Sequence, residues 1–116
     1  MKKILLVNQD QKFIGDLQMK FARNFEILAT EDFATAFRLL KNIPIDLMLA
    51  RLPPTPEQTK TAQLKKLLKK LQRKKFAQLT KILIAPEGGD YQIDDYLKLG
   101  IAAVVVDVEG AAKWMD

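Results

Sequence analysis

The sequence predicts an α/β domain built on a doubly wound, five-stranded parallel sheet, and three observations carry that reading. Five short apolar runs alternate with five stretches of helical periodicity, joined by short connections. The third run, residues 45–50, is apolar at nearly every position and stops at Arg51, Leu52 and two prolines. A run with no polar face needs cover on both sides, which is the environment of a strand inside a parallel sheet. Aspartates or a capping-box sequence stand before the helical stretches, where a side-chain oxygen can accept from the free N–H groups of a first turn.

In chain order, residues 3–7 predict the first strand, and Asp10 caps a helix with Phe13, Ile14, Leu17, Phe21 and Ala22 on one stripe. Residues 25–29 predict the second strand. Asp32 caps the next helix, with Phe33, Ala36, Phe37 and Leu40 facing inward. After the strand ending at Arg51, the capping box at 55–58 opens a long helix buried through Leu64, Leu67, Leu68 and Leu71. Residues 81–85 predict the fourth strand. Asp90 caps a short helix over 91–99, closed by Gly100 as its C′ residue. Residues 101–106 predict a fifth strand, apolar on both faces, and 109–116 leave room for barely two helical turns.

At 116 residues with 48% apolar side chains, the chain suits one domain with one real core. It has no cysteine, which excludes a disulfide framework, a thiolate nucleophile and a cysteine-ligated metal. It has no histidine, so the commonest general base and metal ligand are missing too. The apolar run at the N-terminus is too short for a signal peptide or a membrane span, and a soluble cytoplasmic protein is expected. The net charge of +5 is uneven. Residues 60–81 hold nine Lys or Arg and no acid, whereas the rest of the chain holds 10 bases against 14 acids.

With these elements aligned, Lys3-Ile-Leu-Leu-Val7 with its polar pair, Asp46-Leu-Met-Leu-Ala-Arg51, Lys81-Ile-Leu-Ile-Ala85 and the stretch from Leu99 to Asp107 together resemble a response-regulator receiver domain of two-component systems. The resemblance runs over nearly the whole chain. It implies a flavodoxin-like sheet in the order 2-1-3-4-5, here with a short or truncated last helix. A single receiver-like domain over 1–116 is expected, and the abrupt end after Asp116 suggests that it was cut from, or belongs to, a longer regulatory protein.

Receivers take a phosphoryl group on an aspartate at the end of the third strand, with Mg²⁺ held by an acidic pair after the first. A hydroxyl residue after the fourth strand and a lysine after the fifth complete the site. At those positions this sequence has Arg51, the pair Asn8 and Gln9, Ala85 and Asp107. The aromatic position in the last strand corresponds to Val104. Neutral amides do not supply the anionic oxygens that Mg²⁺ favours, and arginine does not accept a phosphoryl group here. Asp10 carries a carboxylate one residue too late and is read as a helix cap. The resemblance therefore implies a pseudo-receiver, with no catalytic residues, no metal and no cofactor.

Several features remain open to a role. Ligands of open α/β sheets bind beyond the carboxyl ends of the strands, which places Arg51 at a candidate site. With the family's charges exchanged, Arg51 and Asp107 are expected to form an ion pair; the alternatives are two side chains that point separately into water and, third, an anion pocket at Arg51. The basic stretch, with Lys65, Lys66, Lys69, Lys70, Arg73, Lys74 and Lys75, is either a solvated face or a contact for an acidic partner. Nucleic acid is the less favoured partner, since Phe76 is the one aromatic there. Residues 86–89 read as a turn rather than a phosphate-cradling loop. Trp114 either anchors the last helix or marks an interface. Because that helix is short, Val104, Val105 and Val106 with Trp114 are expected to form an exposed patch serving a two-fold dimer or the docking of residues that follow in a longer chain; the other outcome is a monomer sealed by Ala111, Ala112 and Trp114. The function expected is phosphorylation-independent signalling through a protein partner, without membrane contact. Binding of an anionic ligand or nucleic acid through Arg51 or the lysine-rich helix expected over 60–81 is the alternative.

Overall fold

The computed structural model describes residues 1–53, 58–89 and 91–115. Strand β1 (Lys2–Val7) leads to helix α1 (Gln11–Phe21), β2 (Phe25–Thr30), α2 (Phe33–Asn42) and β3 (Leu47–Arg51). Then follow α3 (Gln58–Lys70), a 3₁₀ turn (Lys74–Phe76), β4 (Thr80–Ile84), α4 (Ile93–Leu97), β5 (Ala103–Val105) and α5 (Val108–Ala112). The strands form one sheet in the order β2-β1-β3-β4-β5, every pair parallel. This is the order expected.

Strand periodicity divides the core into two layers. Leu5, Val7, Met48, Ala50 and Leu83 face α2, α3 and α4, where they meet Ala36, Leu40, Leu64, Leu68, Leu71 and Tyr96. Ile4, Leu6, Leu47, Leu49, Ile82 and Ile84 face α1 and α5, where Phe13, Leu17, Val108, Ala111 and Met115 cover them. Asp10 and Asp32 are the N-caps of α1 and α2, accepting from Phe13 N–H and from Ala34 and Thr35 N–H.

Four expectations need correction, and two others fall outside the described residues. The basic stretch 60–81 is not one helix: α3 ends at Lys70, the 3₁₀ turn follows, and Lys81 is buried in β4. Helix α4 is shorter than 91–99 and starts after Gln92, which makes no side-chain cap. Strand β5 spans three residues, all half-buried, so it is a short edge strand and not a fully buried one. The interface residues do not form one patch. Val104 packs against one core layer and Val105 against the other. Val106 is 48% exposed beside the carboxyl ends of the strands, whereas Trp114, 46% exposed, lies with Lys2, Asp46 and Thr80 at the opposite end. The cause is direction: α5 starts beyond β5 and carries the chain back down the sheet. Residues 55–57 of the expected capping box and the cap at Asp90 lie outside the described residues.

Helix α5 covers its layer despite its length because it approaches closely. A Cβ on Gly110 would sit 2.9 Å from the Cβ of Val105, tighter than packed side chains allow. Glycine lets the helix backbone rest on the strand, and Val108, Ala111 and Met115 become buried.

Candidate functional site

The candidate site lies where β1, β3, β4 and β5 end. Parallel pairing brings their last residues level, Val7 with Ala50, Arg51 with Ile84 and Ile84 with Val105. The next residues of each connection therefore converge, as the topology of such sheets requires.

Asn8 follows β1 in the left-handed region at φ 58°, a conformation asparagine tolerates better than most residues. Its N–H donates to Thr30 O at 2.8 Å. The next side chain turns inward. Gln9 is 6% exposed, and its Nε2 donates to Leu49 O at 3.1 Å. Its Oε1 meets no protein donor among the described residues. That donation fixes which end of the amide points at the strand. The sequence does not reveal that Gln9 is buried.

Asp10 has two roles. Its Oδ1 accepts from Phe13 N–H at 2.7 Å, capping α1, and its Oδ2 takes the Arg51 guanidinium at 2.9 Å. The expected pair between Arg51 and Asp107 is thus replaced by Arg51 with Asp10. Strand order supplies the reason. β1 is the immediate neighbour of β3, whereas β5 lies beyond β4, about 10 Å from β3 at ordinary strand spacing. Asp107 is occupied elsewhere, since its Oδ1 accepts from Gly110 N–H at 2.9 Å as the N-cap of α5.

Ala85 is buried, its N–H donating to Val105 O at 2.7 Å. It offers a methyl group where a receiver has a hydroxyl. Val104 is half-buried in β5. Residues 86–89 make a turn, as expected: Tyr91 Oη donates to Pro86 O at 2.7 Å, and a Cβ on Gly89 would run into the Tyr91 ring. The ring lies over the backbone that a phosphate would need.

The Arg51–Asp10 pair borders two hollows. One, of about 320 Å³, is lined by Asn8, Gln9, Leu52, Pro53 and Lys60 as well as the pair. The other, of about 500 Å³, opens towards α1 and α5, with Phe13, Ile84, Val106 and Asp107 in its walls.

The residues present do not suit the divalent metal of receivers. Gln9 directs its amide N–H into the sheet, both Asp10 oxygens are engaged, and a guanidinium supplies positive charge where the metal's would act. Among the described residues no three carboxylates gather as a metal site would need.

Among solved structures the same architecture recurs. A Vibrio cholerae chemotaxis protein superposes with a TM-score of 0.74 at 13% identity, covering 99% of this chain and 96% of its own. A response regulator receiver protein from Pseudomonas putida gives 0.72 at 17% identity, covering 98% and 94%. A response regulator from Thermotoga maritima gives 0.70 at 13% identity, covering 91% and 84%. The chain has the receiver fold. No family model matches the sequence, and no curated protein does. At these identities the likeness is one of fold.

The basic residues scatter over several surfaces. Lys65 bonds Asp95 of α4 at 3.3 Å and lies 5.5 Å from the Tyr96 ring centre. Lys66, Lys69, Arg73, Lys74 and Lys75 are exposed, and Lys70 is half-buried. Among the described residues no helix is long and apolar enough to cross a membrane.

Proposed function

We propose that this receiver-fold chain is a pseudo-receiver, a signalling module that works by protein contact in the cytoplasm without taking a phosphoryl group. The observation that supports the reading most strongly is Arg51, at the end of β3, bonded to Asp10. The acceptor position holds a cation, and the nearest carboxylate is both a helix cap and that cation's partner. Acetyl phosphate with Mg²⁺ should add no mass to the protein, and beryllofluoride should leave its amide spectrum unchanged. An acid-labile, hydroxylamine-sensitive phosphate on the chain would overturn the reading.

The contact we propose includes self-association at the β5 edge, as a two-fold dimer. What supports it is a short edge strand with Val106 exposed just beyond it.

A further inference from the structure

The fold redistributes the cations of residues 60–81. Lys65 turns to α4 and Lys81 enters the sheet. Others gather at the groove between α2 and α3, a hollow of about 300 Å³. Phe33, Phe37 and Leu67 make its apolar lining, and Lys66 and Lys70 stand on the α3 side. The carboxylate in the described lining, Asp32, is engaged with Ala34 N–H, Thr35 N–H and Thr35 Oγ1.

Two helices and the 3₁₀ turn contribute to this charge. Lys41 of α2 and Lys70 of α3 lie 4.9 and 4.8 Å from the centre of the same ring, Phe37. Phe76 packs 6.1 Å from Phe37 and has Lys75 at 5.9 Å. Among the described residues, none of Lys41, Lys66, Lys70 and Lys75 is in an ion pair. The rings hold the ammonium groups in place but leave their charge uncancelled. Concentrated like charge raises the local potential, and an anionic partner would lower it.

We infer that the α2–α3 groove docks an acidic protein segment with one apolar side chain between its carboxylates. The apolar lining receives the side chain, and Lys66, Lys70 and Lys41 meet the acids. A nucleic acid fits less well. Single strands bind by stacking bases on open rings, but Phe37 already has two lysines against it and Phe76 is buried. The cations are lysines, which lack the planar fork that reads base edges. The inference rests on reading the chain as a protein-contact module, and its test is independent of the chemistry at Arg51.

The test uses the whole chain and a labelled glutamate-rich peptide with one central leucine, followed by fluorescence anisotropy and amide chemical shifts. The peptide should bind with an affinity that falls as salt rises, shifting the amides of Phe37, Gln63, Lys66 and Leu67. Replacing its leucine by serine should weaken binding severalfold. The double variant Lys66→Glu, Lys70→Glu should weaken it about tenfold or more. Lys69→Glu, off the groove lining on the same helix, should change it by less than about twofold. The shift map of the unaltered protein keeps the test valid even if the double variant unfolds. Absence of salt-sensitive binding, shifts elsewhere on the surface, or an equal loss from Lys69→Glu would overturn the inference. Tighter binding of a single-stranded oligonucleotide of matched charge would do so too, and would make the groove a nucleic-acid surface. A phosphoryl adduct would defeat the reading of Arg51 and leave these binding results standing.

Discussion

Arg51 and Asp10 meet in a cleft that water still reaches, with the arginine side chain 25% exposed and the aspartate 54%. An ion pair in that setting stabilises by about 0.2–1 kcal/mol. Arg51→Ala and Asp10→Ala should therefore show a coupling of that order in a urea double-mutant cycle. Asp10→Ala alone should cost more, since it also removes the α1 cap, worth about 1 kcal/mol. The Arg51 and Asp107 changes should be additive, because those residues do not pair. The partner of Arg51 was open to sequence reasoning through strand adjacency, which favours the residue beyond β1 over one beyond β5. The family's charge pattern points the other way, and strand adjacency decides it. Lys81 supplies a second test at this scale. Burial pushes its amine below the ordinary value of 10.5. The unfolded chain then holds that proton more tightly, so this group's contribution to stability should rise as pH climbs from the depressed value towards 10.5. Lys81→Met should remove that rise, which urea titration across pH would show.

At the scale of elements, two glycines in helices should respond oppositely to the same change. Gly15, inside α1, has open space where a Cβ would go. Gly15→Ala should stabilise by about 0.5–1 kcal/mol through propensity alone. Gly110→Ala gains the same propensity but drives a methyl group into Val105, where overpacking costs about 1–3 kcal/mol. A net loss is expected, and paired thermal melts would show the two signs. Most elements were legible because local chemistry and burial agree, as at Asp10, Asp32 and the apolar runs of β1 and β3. The end of α3 was legible only in part. Lysine, glutamine and leucine all favour helix, so propensity marks no stop after Lys70. What marks it is a lost register: Leu64, Leu67, Leu68 and Leu71 share a stripe, but its next positions hold Lys74, Lys75 and Gln78, while the apolar Phe76 falls off it. The 3₁₀ turn lets Phe76 reach the core.

At the scale of the molecule, the two-layer core follows from apolar patterning, whereas the surfaces do not. Val106 and Trp114 look adjacent when only strand and helix lengths are considered. They part once the direction of α5 is known. Self-association at the β5 edge should therefore depend on Val106 and be indifferent to Trp114. Sedimentation at micromolar concentration should show a dimer that Val106→Lys dissociates and Trp114→Ser leaves intact. A monomer under those conditions would refute it.

The cation in the strand-three cleft is part of the chain itself. A dissociable ligand biases a conformational equilibrium according to its concentration and its differential affinity for the two states. A guanidinium anchored at the end of β3 and held by the cap of α1 has no concentration to vary. Whatever balance of shapes it favours is fixed when the protein is made and is the same in every copy. On the pseudo-receiver reading proposed above, such a module would carry no memory of an upstream event in this cleft, and the information it conveys would lie in how many copies are present and which partners they meet.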